Sequence, residues 1–286
     1  MTHSPYGATP RISGRATAVG LVLACPVAIG AAYSLLAAIG LAGPGAAGLT
    51  LAPSIAVLES ADTWRSLGWT FATAVVATSL AFGLACGTAT WFSTRAWWQR
   101  LAFVPMAVPH VAAALAALLL FSQSGLASRL ALASGLTQGP SDFPVLVYDR
   151  FGVALILAFA WKEFPYLLMI AVAVLSAAPR DMADVARTLG ASPRQAFWRI
   201  TWPTLWRGTA PAVIATIAFL VGQYEMPALL APSDPLALPL LTFERSVDPA
   251  LTRRAEAHVL SLLALTLAAV LIAAHAFSAH RLERRA

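Results

Sequence analysis

The sequence predicts an all-α, polytopic membrane protein with six transmembrane helices, and three observations carry the prediction. Of the 286 residues, 59% are hydrophobic and 11% are charged, whereas soluble domains average about 25% charged. Mean hydropathy is +0.73. The apolar residues gather into long runs of the ~20-residue length that a helix needs to cross the hydrocarbon, and they lack the short alternating segments of a β-barrel.

Residues 1–15 form a short polar tail, with Arg11 and Arg15 directly ahead of the first apolar run at about 16–41. Arginines, an apolar stretch and small residues near 28–32 imitate the three parts of a secretory signal peptide. The run is too long for one, so a retained first helix is expected. A loop with Glu59 and Asp62 follows, closing a first unit at about residue 66. The second span, about 67–92, holds Gly83 and Gly87 at the small-xxx-small spacing that permits close helix contact. Arg95 and Arg100 then flank Trp97 and Trp98, the basic and aromatic pattern of a membrane interface.

The third span, about 101–121, leads into a connection at 122–150 rich in Ser, Gly, Pro and Asp, in which 126–132 reads as a short helix. The fourth span, about 151–177, contains Trp161-Lys162-Glu163-Phe164-Pro165. The fifth is expected at about 208–230 and the sixth at about 257–279, followed by Arg281, Arg284 and Arg285.

One interior stretch is polar and rich in charge, DVARTLGASPRQAFWRITWP at 184–203. A helix start is expected near Pro179-Arg180-Asp181, with a helical run through Ala183, Ala186 and Leu189. Gly190 stands where a left-handed C-terminal turn would fall. The chain then restarts: Ser192 suits an N-cap, Pro193 the first helical position, and Gln195 completes a capping box. The expected product is helix, glycine elbow, helix. An ordinary amphipathic interfacial helix is the competing reading.

Six spans put both termini on one side of the membrane, and the arginines choose the side. Arg11, Arg15, Arg95, Arg100, Arg180, Arg187, Arg194, Arg199, Arg207, Arg281, Arg284 and Arg285 share the side of the termini and the polar loop. Arg65, Arg129, Arg150, Arg245, Arg253 and Arg254 share the other, with most of the acidic residues. Cytoplasmic loops are enriched in Lys and Arg, so the termini and the polar loop are expected in the cytoplasm.

The polar loop resembles the EAA loop of binding-protein-dependent ABC importer permeases, whose pattern is E-A-A, three residues, G, nine residues, I-x-L-P. Here it stands as Asp184-Val185-Ala186, then Gly190, then Ile200-Thr201-Trp202-Pro203, with both gaps kept. Asp184 replaces the Glu, Val185 the first Ala and Trp202 the Leu. Trp161 to Pro165, with Leu175 and Pro179, resembles the family's approach to that loop. Gly222-Gln223-Tyr224-Glu225-Met226-Pro227, with Leu229, Leu230 and Pro239, is loosely similar to the branch importing polyamines, ferric iron, thiamine and phosphonates.

The resemblance covers about 67–286 and implies a five-helix core of the type I importer permeases, with a cytoplasmic coupling loop at 178–207 and one additional helix in front. It implies that Asp184, Val185, Ala186, Leu189, Gly190, Ile200 and Pro203 couple the chain to a cytoplasmic ABC ATPase dimer. It also implies a second permease subunit, identical or paralogous, and a periplasmic substrate-binding protein that selects the solute, all at a bacterial inner membrane. No cofactor follows from it.

Other function classes fare worse on the residues themselves. A phosphate-cradling P-loop needs Gly-x-x-x-x-Gly-Lys, and the single lysine, Lys162, follows Trp161 inside an apolar run. No Ser, His and Asp arrangement suggests an enzyme. The net charge of +6 comes without an aromatic and basic nucleic-acid motif, so no nucleic-acid partner is expected. Cys25, Cys86 and the five histidines form no metal-ligand pattern.

Charged groups inside a bilayer cost about 2.5 to 3.5 kcal/mol each on insertion scales, so Lys162, Glu163 and Glu225 are expected to face protein or water. Glu225, beside Tyr224, is a candidate for the solute path and for contact with a cationic substrate; Lys162 and Glu163 are further candidates. An ion-coupled secondary transporter relaying charge through these three residues is the rival function, although no pair of repeated halves supports it. A plain membrane anchor would leave the capped double helix of the loop unexplained. Trp198, Trp202 and Trp206 recur at i, i+4 and i+8, as one interfacial stripe would.

Overall fold

A computed structural model describes residues 14–43, 46, 48–91, 102–177 and 182–283. Among them are six helical segments long and apolar enough to cross a membrane. The basic turn at Arg95 to Arg100, the helix start at Pro179 to Asp181 and the extreme terminal residues lie outside the described residues.

The first span is α1 (Gly14–Ala38), followed by a short α2 (Ala52–Glu59). The second is α3 (Ala61–Trp91), which begins several residues earlier than its apolar pattern suggests. The third is broken. A single turn, α4 (Val104–Ala107), stops at Val108 and Pro109, and α5 (His110–Phe121) restarts beyond them. At 1.5 Å per residue, α5 is only about 18 Å long, and the segment of spanning length runs on through the next short helix, His110–Ala133. The short helix expected in the next connection is present as α6 (Leu126–Ala133).

The fourth span, α7 (Val153–Ala177), lies close to its expected bounds. The loop follows as α8 (Met182–Thr188) and α9 (Pro193–Ala196). A π-helical turn (Phe197–Thr201) then runs without interruption into α10 (Trp202–Val221). The fifth span therefore differs from expectation at both ends: it is continuous with the second loop helix, and it stops at Val221 instead of Leu230. Proline explains the stop. In one uninterrupted helix, Pro227 would remove the hydrogen bond to the Gln223 carbonyl and clash with it. The chain instead opens at Gly222 and restarts as α11 (Glu225–Leu230), where Pro227 falls in a first turn and needs no donor. After α12 (Leu238–Ser246), the last span is α13 (Leu251–Glu283), 33 residues long and begun six residues before its expected start.

The bundle is held at α3 and α7. One face of α3 presents Ala77, Ala81, Ala85 and Ala89, all buried. They pack with Leu155, Ala158 and Phe159 in one cluster and with Ala160, Leu167 and Leu168 in another. This alanine face makes the close approach that the spacing of Gly83 and Gly87 suggested. Those two glycines are exposed, and a Cβ added at either would meet nothing within 4 Å. Small residues lower the cost of close packing only on the face turned to a neighbour, and a chain this rich in alanine supplies several such faces.

A third cluster joins Ala38 of α1 and Val57 of α2 to Leu238 and Leu241 of α12 and to Val259 and Leu260 of α13. Ser34 Oγ and His258 Nδ1 are 3.2 Å apart across α1 and α13, and the Tyr33 ring meets His258 edge-on. Polar clasps also tie α3 to the segment entering α12. Ser66 donates to the Leu236 carbonyl, and Thr70 Oγ1 accepts from the Leu238 amide at 2.8 Å.

Candidate functional site

Two polar regions stand apart from the packed faces: the elbow between α8 and α9, and a group of ionisable side chains midway along the bundle.

At the elbow the local sequence dictates the geometry. Gly190 has φ +92°, the left-handed region that glycine enters without steric cost. Its amide donates to the Arg187 carbonyl at 3.0 Å, and the Ala191 amide donates to Ala186 at 2.9 Å. That pair of bonds is a Schellman termination, which satisfies two of the carbonyls left open at the end of α8. Two residues later Ser192 begins α9 with a complete capping box. The Gln195 amide donates to Ser192 Oγ at 3.3 Å, and the Ser192 amide donates to Gln195 Oε1 at 2.9 Å. Closing one helix and opening the next within this interval gives the backbone on both sides of the elbow local hydrogen-bond partners.

Val185 and Leu189, four residues apart, point into solvent, with Leu189 83% exposed. Two apolar side chains on a one-turn spacing, uncovered on a polar loop, suit docking into a partner. Asp184 lies in α8, and its side chain is outside the described residues. Ile200 and Pro203 sit at and just beyond the π turn, half-buried. Pro203 accounts for the turn, because it has no amide to offer the preceding helix. The Trp202 amide reaches back five residues to the Phe197 carbonyl, and Thr204 Oγ1 donates to Ile200 O at 2.8 Å.

The expected tryptophan stripe persists through the π turn: Trp198 meets Trp202 with ring centroids 5.6 Å apart, and Trp202 and Trp206 each lie 5.8 Å from Phe82 of α3, with Trp198 and Trp206 about half exposed. Nearby, α10 crosses α7 so closely that a Cβ on Gly208 would lie 2.6 Å from Val174 Cγ2.

Midway along the bundle, Lys162 and Glu163 of α7 are both 9% exposed. Lys162 Nζ donates to the Pro105 carbonyl at 3.0 Å. Pro105 O also serves the turn at the end of α4, accepting from the Val108 amide. The ammonium therefore braces the break between α4 and α5. Glu163 points elsewhere, as its 100° offset on the helix requires. Its Oε1 lies 3.7 Å from Nε2 of His110, the first residue of α5, and that nitrogen is buried with no hydrogen-bond partner.

Glu225 is not inside an apolar helix, as its sequence context suggested. It is the first residue of α11 and is exposed. There it lies within electrostatic reach of His110, and α11 packs on both α5 and α7. Tyr224 precedes it, with its ring 5.3 Å from Phe243 of α12. The fold thus brings Glu163, Lys162 and Glu225 within electrostatic reach of one histidine, with the Lys162 ammonium donating to a backbone carbonyl. His110 is the residue that the sequence reading passed over. Pro109 before it was the available signal, since it announces a helix restart at that point.

Comparisons with known proteins come from sequence and from structure. The family model described as binding-protein-dependent transport system inner membrane component matches residues 79–286. The maltose/maltodextrin transport system permease protein MalF of Photorhabdus laumondii is 31% identical over 141 residues, 49% of this chain and 27% of that protein. The inner membrane ABC transporter permease protein YnjC of Escherichia coli K12 is 30% identical over 181 residues, 61% of this chain and 33% of that protein. The matched regions thus cover about a quarter to a third of the length of these relatives. Among solved structures, a chain of a bacterial ABC transporter involved in the import of the acidic polysaccharide alginate superposes with a TM-score of 0.70 at 15% identity. The match covers 94% of this chain and 93% of that one, and shows a shared importer-permease fold.

Proposed function

Since the chain belongs to the family of binding-protein-dependent transport system inner membrane components, we propose that it is the transmembrane permease subunit of an ATP-binding-cassette importer. It forms the path for a small polar solute handed over by a periplasmic binding protein. Its partners are a cytoplasmic ATPase dimer, which hydrolyses the ATP, and a second permease subunit. The observation that carries this reading is the elbow at Gly190, a left-handed glycine between a Schellman-terminated helix and a boxed one, in register with the gapped motif from Asp184 to Pro203. A solved relative with the same fold is a bacterial alginate ABC transporter in complex with a pentasaccharide-bound periplasmic protein, which supports the same type of assembly.

The mechanics follow from continuity. α8, with Val185, Ala186 and Leu189, enters the ATPase surface, and Asp184 lies at its edge. Gly190 holds the angle at which α9 departs. α9, the π turn and α10 form one unbroken rod from Pro193 to Val221, about 43 Å long at 1.5 Å per residue. Displacement of α8 by the ATPase therefore reaches Gly222 and the head of α11, where Glu225 sits. Ile200 and Pro203 are at the π turn, the weak point of the rod, and set how much of the displacement is transmitted.

This reading requires the loop and both termini to be cytoplasmic, as the arginine distribution argues. With Cys25 and Cys86 replaced by Ala, Ser192→Cys is expected to resist an impermeant thiol reagent in intact cells, and Asp142→Cys is expected to react. The opposite labelling would invert the topology and remove the loop from the ATPase. The chain purified gently from its membrane is expected to retain an ATP-hydrolysing subunit. Solute accumulation by the purified chain alone, driven by an ion gradient, would make it a secondary transporter.

A further inference from the structure

We propose that the rod formed by α9, the π turn and α10 carries a site for an anionic phospholipid. Arg207 receives the lipid phosphate, Arg199 adds a second positive charge above it, and Trp198 and Trp206 seat the pair at the headgroups. The inference rests on the membrane-embedded chain of the permease reading and goes beyond it, because the coupling mechanics use none of these four side chains.

The sequence repeats a Trp-Arg pair along the rod, first as Trp198-Arg199 and again as Trp206-Arg207. Two turns of a plain α-helix take about 7.2 residues, so a spacing of about eight would carry the second pair some 80° around from the first. The π turn at Phe197–Thr201 takes up about one further residue, which brings the two pairs close to one side. The rings follow the same register, with Trp198 against Trp202 and both Trp202 and Trp206 against Phe82. Leu205, Thr209, Ala212, Thr216 and Leu220 mark the buried face of α10. At about 100° per residue, Arg207 stands roughly opposite that face, and both arginines are exposed.

Depth is set by α7, whose 25 residues make about 37 Å of helix against a hydrocarbon core of about 30 Å. Gly208 crosses α7 at Val174, close to its end at Ala177, so Arg207 stands at the edge of the hydrocarbon. Helical side chains lean toward the N-terminus of their helix, which for α10 is the loop side, and the Arg207 guanidinium therefore reaches out into the phosphate layer. Arg65, Arg245 and Arg253 at the other end of the bundle each have a carboxylate. Among the described residues Arg199 and Arg207 have no hydrogen-bond or ion-pair partner. A phosphate supplies one, since the planar fork of a guanidinium matches it with two parallel hydrogen bonds, and tryptophan favours the same headgroup level. An acidic patch on the ATPase is the other counter-ion to weigh. Arg207 lies about 21 Å along the rod from Pro193, level with the last turn of a transmembrane helix, which favours the lipid.

The full chain is reconstituted in phosphatidylcholine nanodiscs containing a minor share of phosphatidylglycerol, with bromine on the acyl chains of one lipid or the other. Bromine in contact with an indole quenches its fluorescence, and the signal is read as the part lost in Trp206→Phe. At equal content, brominated phosphatidylglycerol is expected to quench more than brominated phosphatidylcholine. Arg207→Gln is expected to lower that preference about fivefold, and Arg199→Gln to lower it in the same direction. Arg253→Gln, which removes a charge at the opposite end of the bundle, is expected to leave it unchanged. Both rod arginines are exposed, so their variants are expected to fold. Equal quenching by the two lipids in the wild type overturns the proposal, as does a preference unchanged in Arg207→Gln. ATPase pull-down is read on the same variants. Capture lost in Arg207→Gln with the lipid preference intact gives the arginine to the ATPase and overturns the lipid site. A lipid preference in a wild type that captures no ATPase would remove the permease reading and leave the lipid site standing.

Discussion

Gly190→Val is expected to leave the six spans inserted while stimulated ATP hydrolysis and solute uptake are lost together. The effect is one of backbone geometry alone, because a Cβ at this position would meet nothing within 4 Å. At φ +92° a β-branched residue carries about 1 to 3 kcal/mol of strain. The loop is exposed, so it escapes that strain by rotating out of the left-handed region. Doing so breaks the bonds from Gly190 to Arg187 and from Ala191 to Ala186 and swings α8 away from its docked direction. Gly190→Asn is the control, since asparagine tolerates the left-handed cap, and it is expected to retain most of the coupling. Asp184→Lys places a cation in the first turn of α8, costs about 0.3 to 1 kcal/mol of helix stability and is expected to weaken ATPase capture in parallel. The measurements are ATPase pull-down and substrate-stimulated turnover in proteoliposomes. Normal values for both in Gly190→Val would remove the coupling role from the elbow.

Gly208→Leu is expected to destabilise the bundle itself. The new Cβ would sit 2.6 Å from Val174 Cγ2 and 2.7 Å from Cγ1, and a valine held on a helix has essentially one rotamer with which to give way. Overpacking of this kind costs about 1 to 3 kcal/mol and would be relieved by moving α10 off α7. The same crossing supports the rod that follows the elbow, so coupling should fall along with stability. Adding Val174→Ala removes the obstructing methyl groups and is expected to restore most of the loss. Thermal unfolding of the purified chain reads both variants. A midpoint unchanged by Gly208→Leu would show that the helices pass farther apart, and failure of the double variant to recover would place the strain elsewhere.

The elbow was readable because its determinants are local. Gly190, Ser192, Pro193 and Gln195 act through neighbours within five residues, and the observed bonds are those the spacing implies. The breaks on either side of the central group were partly readable. Pro109 and Pro227 stand in plain view, but apolar composition runs straight through both, and hydropathy is blind to a missing amide. The tryptophan stripe was readable as well, because Trp198, Trp202 and Trp206 stay in one run of ring contacts, the last two against Phe82, across the π turn.

The sequence by itself determined the solvent of this protein, the number of its spans and the hinge of its loop. These depend on composition and on contacts a few residues long, which lipid and backbone hydrogen bonding enforce whatever the tertiary arrangement. Only the tertiary structure decided which small-residue face of α3 is buried, that Lys162 braces Pro105, and that Glu163 meets His110 across 53 positions of sequence. Inside a membrane every face of a helix is apolar, so no hydrophobic pattern records which face meets a neighbour. That choice is made by shape and by the few polar groups that must find one another, and it exists only once the helices are packed.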